Sequence, residues 1–209
     1  MRSYRKCKAG RHRWAAFCLA VALAGLPGFA REAPAQNAAT FWAHFSVHHP
    51  LHEVEGDVRE FRWSPPTPHF DSGSQSWGIE TPVHIEVPVT GLDTANQNRD
   101  SHMLEVLLFP EYRTITVDVE SVRHQEADRY EIGGRLTIAG RTRSFLSPAH
   151  ARADSGSLLV EGDLTVQLSD FEIERPSLLM LSIDDVVPVH YRVELTIPAN
   201  AATLQNSGS

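Results

Sequence analysis

Between Phe41 and Ile197 apolar and polar residues alternate with a period of two, and this alternation constrains the fold more than any other feature of the chain. In residues 83–89 every second residue is Val or Ile, and residues 115–119 and 187–197 follow the same rule with Val, Ile, Leu or Tyr. Because successive side chains of a strand point to opposite faces, each run predicts a β-strand with one buried and one solvated face.

The alternating runs define about eight strands, several of them joined by short turns such as residues 139–142 and 154–157. This pattern predicts an all-β chain in which antiparallel strands share one buried face. Eight such strands usually close into a barrel, which leaves no exposed sheet edge, although a two-sheet sandwich has the same periodicity and remains an alternative. The predicted strands are Phe41–His48, Val54–Trp63, 83–89, 115–119, 130–138, Arg143–Arg152, 158–168 and 187–197.

Three stretches interrupt the alternation. Ser64–Ser76 is rich in Pro, Gly and Ser and predicts a loop, and Asp170–Leu181 predicts an irregular connection before the last strand. Arg99–Leu108 predicts one short helix with Asp100 as its cap. The apolar face of this helix comprises Met103, Val106 and Leu107.

The first thirty residues have the pattern of a secretory signal peptide. Six basic residues lie in the first thirteen positions, and no acid precedes Glu32. The apolar stretch Ala15–Ala24 follows, and small residues then offer cleavage after Ala30 or after Ala35. An apolar stretch of this length is too short to span a bilayer, which takes about 20 residues. We therefore expect cleavage and a periplasmic or secreted protein.

Removal of the signal peptide changes the chemistry that is available. The only cysteines and the only lysines lie within it, so the mature chain has no disulfide, no thiol catalysis and no Schiff-base lysine. Six bases and no acid leave with it, so the formal net charge falls from −7 to −13, which argues against nucleic-acid binding. We divide the chain into a signal peptide (1–30), a linker (31–40), a barrel domain (41–198) and a disordered tail (199–209).

Several short motifs follow one another along the chain. They are Phe45-Ser46-Val47-His48, Val54-Glu55-Gly56, Gly91-Leu92-Asp93-Thr94, Asn98-Arg99-Asp100-Ser101-His102-Met103, Phe109-Pro110-Glu111-Tyr112-Arg113-Thr114-Ile115, residues 130–140, Leu168-Ser169-Asp170-Phe171 and residues 186–195. In their order these motifs resemble those of the YceI-like proteins, and the resemblance covers nearly all of residues 41–198. It implies an exported, lipocalin-like antiparallel barrel that holds a long apolar ligand, commonly a polyisoprenoid or an isoprenoid quinone.

A ligand site follows from the facing of the strands. Arg99 and His102 are predicted at the barrel mouth, where they would hydrogen-bond a quinone carbonyl or another polar head. In the alternative interpretation these helix residues have only structural roles: Asp100 caps the helix and Arg99 pairs locally with an acid. A barrel with a filled core would have the same inward-facing apolar residues. The alternation therefore does not distinguish a cavity from a filled core. The predicted lining comprises Phe45, Val47, Val87, Phe109, Val117, Leu136, Val166 and Tyr191.

No catalytic residue and no metal site is predicted. Serines such as Ser46 and Ser169 lack a GxSxG elbow, and His44 and His48, which share a strand face, lack a motif that supplies a third ligand. The expected function is therefore non-enzymatic binding of an apolar lipid or isoprenoid, with transient contact to a membrane or a membrane protein. The alternative is an extracytoplasmic protein-interaction or stress-related module with a filled core and no ligand.

Overall fold

A computed structural model describes residues 39–175, 177–178 and 181–199 of the chain. The predicted signal peptide, most of the linker and most of the tail lie outside the described residues. The elements, in chain order, are β1 (Ala39–His49), β2 (His52–Val58), β3 (Arg62–Trp63), β4 (Pro68–Asp71), β5 (Ser76–Ile79), β6 (Val83–Pro88), β7 (Leu92–Asp93), α1 (Gln97–Val106), β8 (Thr114–Glu126), β9 (Arg129–Ile138), β10 (Arg141–Asp154), β11 (Ser157–Gln167), β12 (Ser177–Leu178), β13 (Leu181–Ser182) and β14 (Val186–Thr196).

One curled antiparallel sheet contains all eight long strands, in the order β6-β8-β9-β10-β11-β14-β1-β2. Two short strands close its ends: β3, which continues β2, pairs with β6, and β7, which follows β6, pairs with β2. Between them the amide of Arg59 donates to the carbonyl of Gly91 (2.7 Å). The sheet therefore has ten strands rather than the predicted eight, and its curled antiparallel form with one short helix confirms the predicted all-β, lipocalin-like barrel in place of a two-sheet sandwich.

The observed burial follows the predicted alternation. In β1, Ala43 and Phe45 are buried while Trp42 is 42 % exposed on the outer face. In β6, Val83, Ile85 and Val87 are all buried. The inner faces of the strands therefore share one apolar interior, which is the arrangement that removes most apolar surface from water.

Different elements cover the two ends of the barrel. We call one the helix end, because α1 and the adjoining connections pack there against a buried cluster that includes Phe45, Leu136 and Phe171. We call the other the hairpin end, because β4 and β5 form a separate antiparallel pair whose Trp77 packs with Tyr130 and Leu195. None of the helices in the described ranges is long and apolar enough to cross a membrane.

The predicted loop Ser64–Ser76 is wrong in part, since this stretch contains β4 and leads into β5. Asp71 closes the turn between them by accepting a hydrogen bond from the amide of Gly73 (2.9 Å). Pro68 is among the most completely buried side chains of the protein. The Pro, Gly and Ser residues correctly predicted a turn. The pairing of β4 with β5 depends on packing against the barrel, which local composition does not encode.

The helix begins two residues earlier than predicted, and its cap is Asn96 rather than Asp100. The side-chain oxygen of Asn96 accepts hydrogen bonds from the amides of Asn98 (3.1 Å) and Arg99 (3.2 Å). Asp100 lies inside the first turn instead and accepts from the amide (3.0 Å) and hydroxyl (2.6 Å) of Thr94. The predicted apolar face is confirmed, because Met103, Val106 and Leu107 pack against the core at the helix end. The predicted irregular connection after β11 contains a 3₁₀ turn, Leu168–Phe171, and the short pair β12–β13.

Candidate ligand-binding cavity

A cavity of about 410 Å³ runs along the barrel axis from Trp77 at the hairpin end to Arg99 and His102 at the helix end. Its wall consists almost entirely of aliphatic and aromatic side chains from the eight long strands, with Met103 and Val106 of α1. Cavities of this size bury most of a small apolar ligand. A filled core, the alternative that the alternation left open, does not fit this structure.

Two aromatic rings lie flat against the wall because glycine stands opposite each of them. Phe45 faces Gly56 across β1 and β2, and a β-carbon at position 56 would lie 2.3 Å from the tip of its ring. Tyr191 faces Gly162 across β14 and β11, and a β-carbon at position 162 would lie 2.3 Å from its phenolic oxygen. Rings that lie over glycine leave the axis open, so these pairs help to keep the barrel hollow.

The phenol of Tyr191 hydrogen-bonds to the wall rather than standing free in the cavity. Its oxygen lies 2.8 Å from Oγ of Ser147, and that hydroxyl also donates to the carbonyl of Asp163 (2.8 Å). Burial raises the pKa of Tyr191 above its ordinary value, against the smaller opposing effect of the hydrogen bond to Ser147. The phenol therefore stays neutral, and the wall around it carries no charge.

The hairpin end is fixed by one buried hydrogen bond. The amide of Trp77 donates to the phenolic oxygen of Tyr130 (2.9 Å), and both side chains are buried. Burial also raises the pKa of Tyr130 above its ordinary value. Phe70 packs on Trp77 with ring centroids 5.3 Å apart. The indole is thereby held against the end of the cavity.

The polar groups of the cavity gather at the helix end. Arg99, His102, Met103 and Val106 all reach the cavity, because residues three and four apart share one face of a helix. Nε of Arg99 donates to Oγ1 of Thr94 (3.0 Å) and Nη2 donates to its carbonyl (2.6 Å). His102 is 59 % exposed at the rim, with Nδ1 3.2 Å from Oε2 of Glu105.

The cavity lies within a chain of −7 net charge, yet no carboxylate stands among the described residues that line it. Arg99 is the one lining side chain with a permanent charge, and His102 is the one histidine. The two acidic residues near this end, Asp100 and Glu105, do not line the cavity. The carboxylate of Asp100 accepts a hydrogen bond from Thr94, and that of Glu105 contacts the ring of His102. The surface of the cavity is almost entirely apolar, so the arrangement can enclose an apolar chain.

The structure brings together all of the predicted site residues except Phe109. That residue follows α1 in the connection to β8, is 38 % exposed, and has the guanidinium of Arg113 5.9 Å from its ring centroid. Its prediction as cavity lining was wrong, because Phe109 precedes β8, which begins at Thr114, and does not reach the cavity wall. The predicted residues that line the cavity are Phe45, Val47, Val87, Arg99, His102, Val117, Leu136, Val166 and Tyr191. Their role as ligand contacts stays a prediction.

Sequence reasoning missed the aromatic residues toward the hairpin end. Phe41 lies on the inward face of β1, and Tyr130 on that of β9, so alternation could have found both. Trp63 lies in a two-residue strand, and Trp77 belongs to a hairpin outside the alternation, so no local signal marks either as cavity lining.

His44 on β1 is engaged by neighbouring side chains of the outer face. His44 faces outward, with Nδ1 2.9 Å from Oδ1 of Asp57 and its ring stacked on Trp42. His49 points the other way and is 3 % exposed. Within the part of the chain that the structure describes, no three His, Cys, Asp or Glu residues are close enough to hold a metal ion.

A curled antiparallel sheet with a covering helix and an apolar axial cavity is a lipocalin-like barrel. Within that class the chain belongs to the YceI-like domain family, whose model matches residues 33–195. No curated protein matches the chain.

Solved structures with the same fold have low sequence identity to this chain. Burkholderia cenocepacia BcnA aligns with a TM-score of 0.63 and 14 % identity over 75 % of this chain and 96 % of its own. A Campylobacter jejuni YceI protein aligns with a TM-score of 0.55 and 18 % identity over 72 % and 89 %. A polyisoprenoid-binding domain from Saccharophagus degradans, described as implicated in plant cell wall breakdown, aligns with a TM-score of 0.54 and 15 % identity over 78 % and 97 %.

Proposed function

We propose that this protein is an exported, non-enzymatic carrier that holds a long-chain apolar ligand, a polyisoprenoid, an isoprenoid quinone or a similar lipid, in the barrel cavity. The observation that carries the proposal is the apolar cavity between Trp77 and Arg99. A structural relative is described as a polyisoprenoid-binding domain, which supports the same ligand class.

Burial alone supplies enough free energy for such binding. Removing one methylene from water is worth about 0.8 kcal/mol, so a dozen contribute about 10 kcal/mol before the costs of association. Those costs take back several kcal/mol, which leaves an affinity near the micromolar range. A carrier of this kind needs no cofactor and no catalytic residue, and transient contact with a membrane or a membrane protein would serve to load and unload it.

Native mass spectrometry of protein purified from an exporting host tests the carrier function. We expect a discrete adduct of one ligand per chain that solvent extraction releases as an isoprenoid, a quinone or another lipid. Protein that is free of ligand, and that stays so when challenged with polyprenols and quinones, would contradict the proposal.

Export is tested on the same material. Residues 1–30 are proposed to direct the chain out of the cytoplasm, so the N-terminus of the purified protein should begin after Ala30 or after Ala35. Recovery of an intact N-terminus from the cytoplasm alone would show that export is wrong and would leave the binding function untouched.

A further inference from the structure

Exposed apolar side chains are concentrated at the helix end of the barrel. Of the large apolar residues that are exposed in the described chain, Trp42 and Leu146 lie within strands on the outer wall. The others lie in or beside the connections at the helix end, and the hairpin end has none within the described ranges. They are Leu51, Leu108, Phe109 and Val186. Exposed apolar residues that gather on one surface mark an interaction site, whereas single ones scattered over a protein need no explanation.

Backbone contacts bring these connections together on one end face. The amide of Asp184 donates to the carbonyl of His48 (2.9 Å). This hydrogen bond places the start of β14, with Val186, beside the β1–β2 turn, with Leu51. The connection that follows α1 carries the other two exposed residues, and its buried Leu107 packs into the cluster at the same end.

The wall of the barrel has an opening at this end. β1 pairs with β2 from His52 to Asp57, but β7 pairs with β2 only at Asp57 and Val58. The edge of β2 between His52 and Gly56 therefore has no strand beside it in the described sheet. Beyond β7 the chain forms α1, in which no residue is buried. A partly exposed helix thus follows at the point where the strand pairing stops.

The cavity reaches this opening from inside. Val54 on the free edge of β2 lines it, and so do Thr94, Arg99, His102 and Met103 in and before α1. The imidazole of His102 is also exposed to solvent, so the cavity and the outer surface meet at this helix.

The hairpin end offers no comparable route. Pro68 and Trp77 are buried there, and the amide of Trp77 donates to the phenolic oxygen of Tyr130 (2.9 Å). Entry at the hairpin end would break these buried contacts, whereas entry at the helix end displaces only partly exposed residues of α1.

The charge of the helix end selects among lipid surfaces. Acids outnumber bases nine to four in the connections at this end, which are residues 50–53, 94–113, 139–141, 168–175 and 181–185. Anionic head groups attract basic segments and repel acidic ones. Exposed apolar side chains among these acids therefore fit a bilayer whose head groups carry no net charge.

From these observations we infer that the helix end docks on the surface of a zwitterionic lipid bilayer, and that ligand passes between bilayer and cavity at the opening between β2 and α1. The inference rests on the proposed carrier function and specifies its exchange partner. A long apolar ligand is most stable within a bilayer, so passage through a docked opening avoids exposing it to water.

Transfer kinetics test the docking. Protein purified from an exporting host and freed of lipid is loaded with a neutral long-chain alcohol that carries a terminal pyrene. It is then mixed with phosphatidylcholine vesicles that contain a fluorescence quencher. The transfer rate should rise in proportion to a low vesicle concentration, because docking precedes release. Replacing about a third of the lipid with anionic phosphatidylglycerol should slow transfer at least about 3-fold.

Two substitutions assign the docking surface. Leu51→Asp combined with Leu108→Asp places charge on the helix end at residues that do not line the cavity. We expect transfer to slow at least about 10-fold and the affinity for the pyrene alcohol without vesicles to stay unchanged. Leu146→Asp on the outer wall is the matched control, since Leu146 is 61 % exposed and Leu51 is 57 % exposed. It should transfer at the wild-type rate.

Several results would overturn the inference and leave the carrier function standing. A wild-type rate that does not depend on vesicle concentration would indicate release through water, and absence of transfer from loaded protein would indicate a protein partner. Neither result depends on the folding of a variant. Faster transfer into anionic vesicles, or equal slowing by Leu146→Asp and the double variant, would contradict the assigned surface. Failure of the pyrene alcohol to bind to the wild-type protein would instead count against the carrier function, and this inference would fall with it.

Discussion

The ring of Tyr191 lies across the backbone of Gly162, its direct partner on the neighbouring strand, so closely that a β-carbon at position 162 would lie 2.5 Å from Cζ of the phenol. Real β-carbons essentially never come within 3.0 Å of another heavy atom. Because residue 162 is glycine, the ring of Tyr191 can lie against the barrel wall instead of extending into the cavity. This relationship leads to the first prediction.

Gly162→Ala should displace the Tyr191 ring toward the barrel axis and reduce the cavity. We expect at least about a 10-fold loss of lipid affinity and a loss of about 1–3 kcal/mol in the free energy of unfolding, as overpacking typically costs. Ligand displacement and urea denaturation measure the two effects. Thr165→Ala, on the exposed face of the same strand, is the control and should change neither. Adding Tyr191→Ala to Gly162→Ala should restore binding in part, because the new β-carbon would still lie 2.9 Å from the carbonyl oxygen of Pro148. No recovery of binding in the double variant would contradict the role given to the Tyr191 ring.

Tyr191→Phe keeps the ring and removes only the hydroxyl. The Oγ of Ser147 then loses one of its hydrogen bonds but keeps the one to the carbonyl of Asp163. We expect a loss of about 1 kcal/mol in the free energy of unfolding and unchanged lipid affinity. A large drop in affinity without a change in stability would mean that the phenol contacts the ligand directly.

Val117→Trp should fill the lumen. Val117 lines the cavity from β8, between Ile85 and Leu136 on the neighbouring strands. An indole placed in an existing cavity should abolish lipid uptake with a stability change below about 3 kcal/mol. Thr116→Trp, at the adjacent position on the opposite face, is the matched control and should bind lipid normally. Unfolding of Val117→Trp would instead indicate that no free space exists at this point of the barrel.

Tyr130→Phe should loosen the hairpin end. The buried amide of Trp77 would lose its acceptor, which costs about 1–3 kcal/mol for an unsatisfied buried donor. Hydrogen exchange followed by NMR should show faster exchange of the Trp77 amide and no change at the Val117 amide in the sheet. Equal acceleration at both positions would point to global destabilisation and against a local role of this hydrogen bond.

His84 on β6 provides a pH-dependent contact on the outer face. Nδ1 lies 2.6 Å from Oδ1 of Asp118, and this hydrogen bond, with a weaker one to Glu86, raises the pKa of His84 above its ordinary value of 6.5. A raised pKa means that the pair stabilises the fold fully below about pH 6.5 and loses that contribution as pH rises through the folded-state pKa. Because the imidazole is 54 % exposed, the contribution should stay below about 1 kcal/mol.

An NMR titration of the His84 imidazole measures this directly. The midpoint should lie above 6.5 in the wild-type protein and move down in Asp118→Asn. The free energy of unfolding of the wild-type protein should fall slightly between pH 6 and pH 8, and the fall should shrink in His84→Gln. An unchanged midpoint in Asp118→Asn would contradict the assigned cause.

The strands could be predicted from the sequence, because burial of one face requires apolar and polar residues to alternate along each strand. Residues 83–88 of the predicted strand 83–89, for example, form β6 with the predicted facing. Both incorrect predictions concern residues whose partners lie outside their own helix or strand. Trp77 lies in the β4–β5 pair, and its amide donates to Tyr130, which is far away in sequence. The sequence predicted Asp100 as the helix cap. In the structure its carboxylate instead accepts a hydrogen bond from Thr94, which directly follows β7.

By itself the sequence determined an all-β chain of antiparallel strands with one helix, since alternation specifies which face each strand buries. It did not determine the strand count, because β3 and β7 are only two residues long and pair at the ends of the sheet. It also determined the helix face that carries Arg99 and His102, since helical spacing fixes which residues are neighbours. Only the tertiary structure decided that the interior is hollow. Inward apolar stripes are the same in a filled and an open barrel, and the difference depends on which residues stand opposite one another across the strands. Phe45 meets Gly56 and Tyr191 meets Gly162, and both rings lie on the wall and leave the axis free.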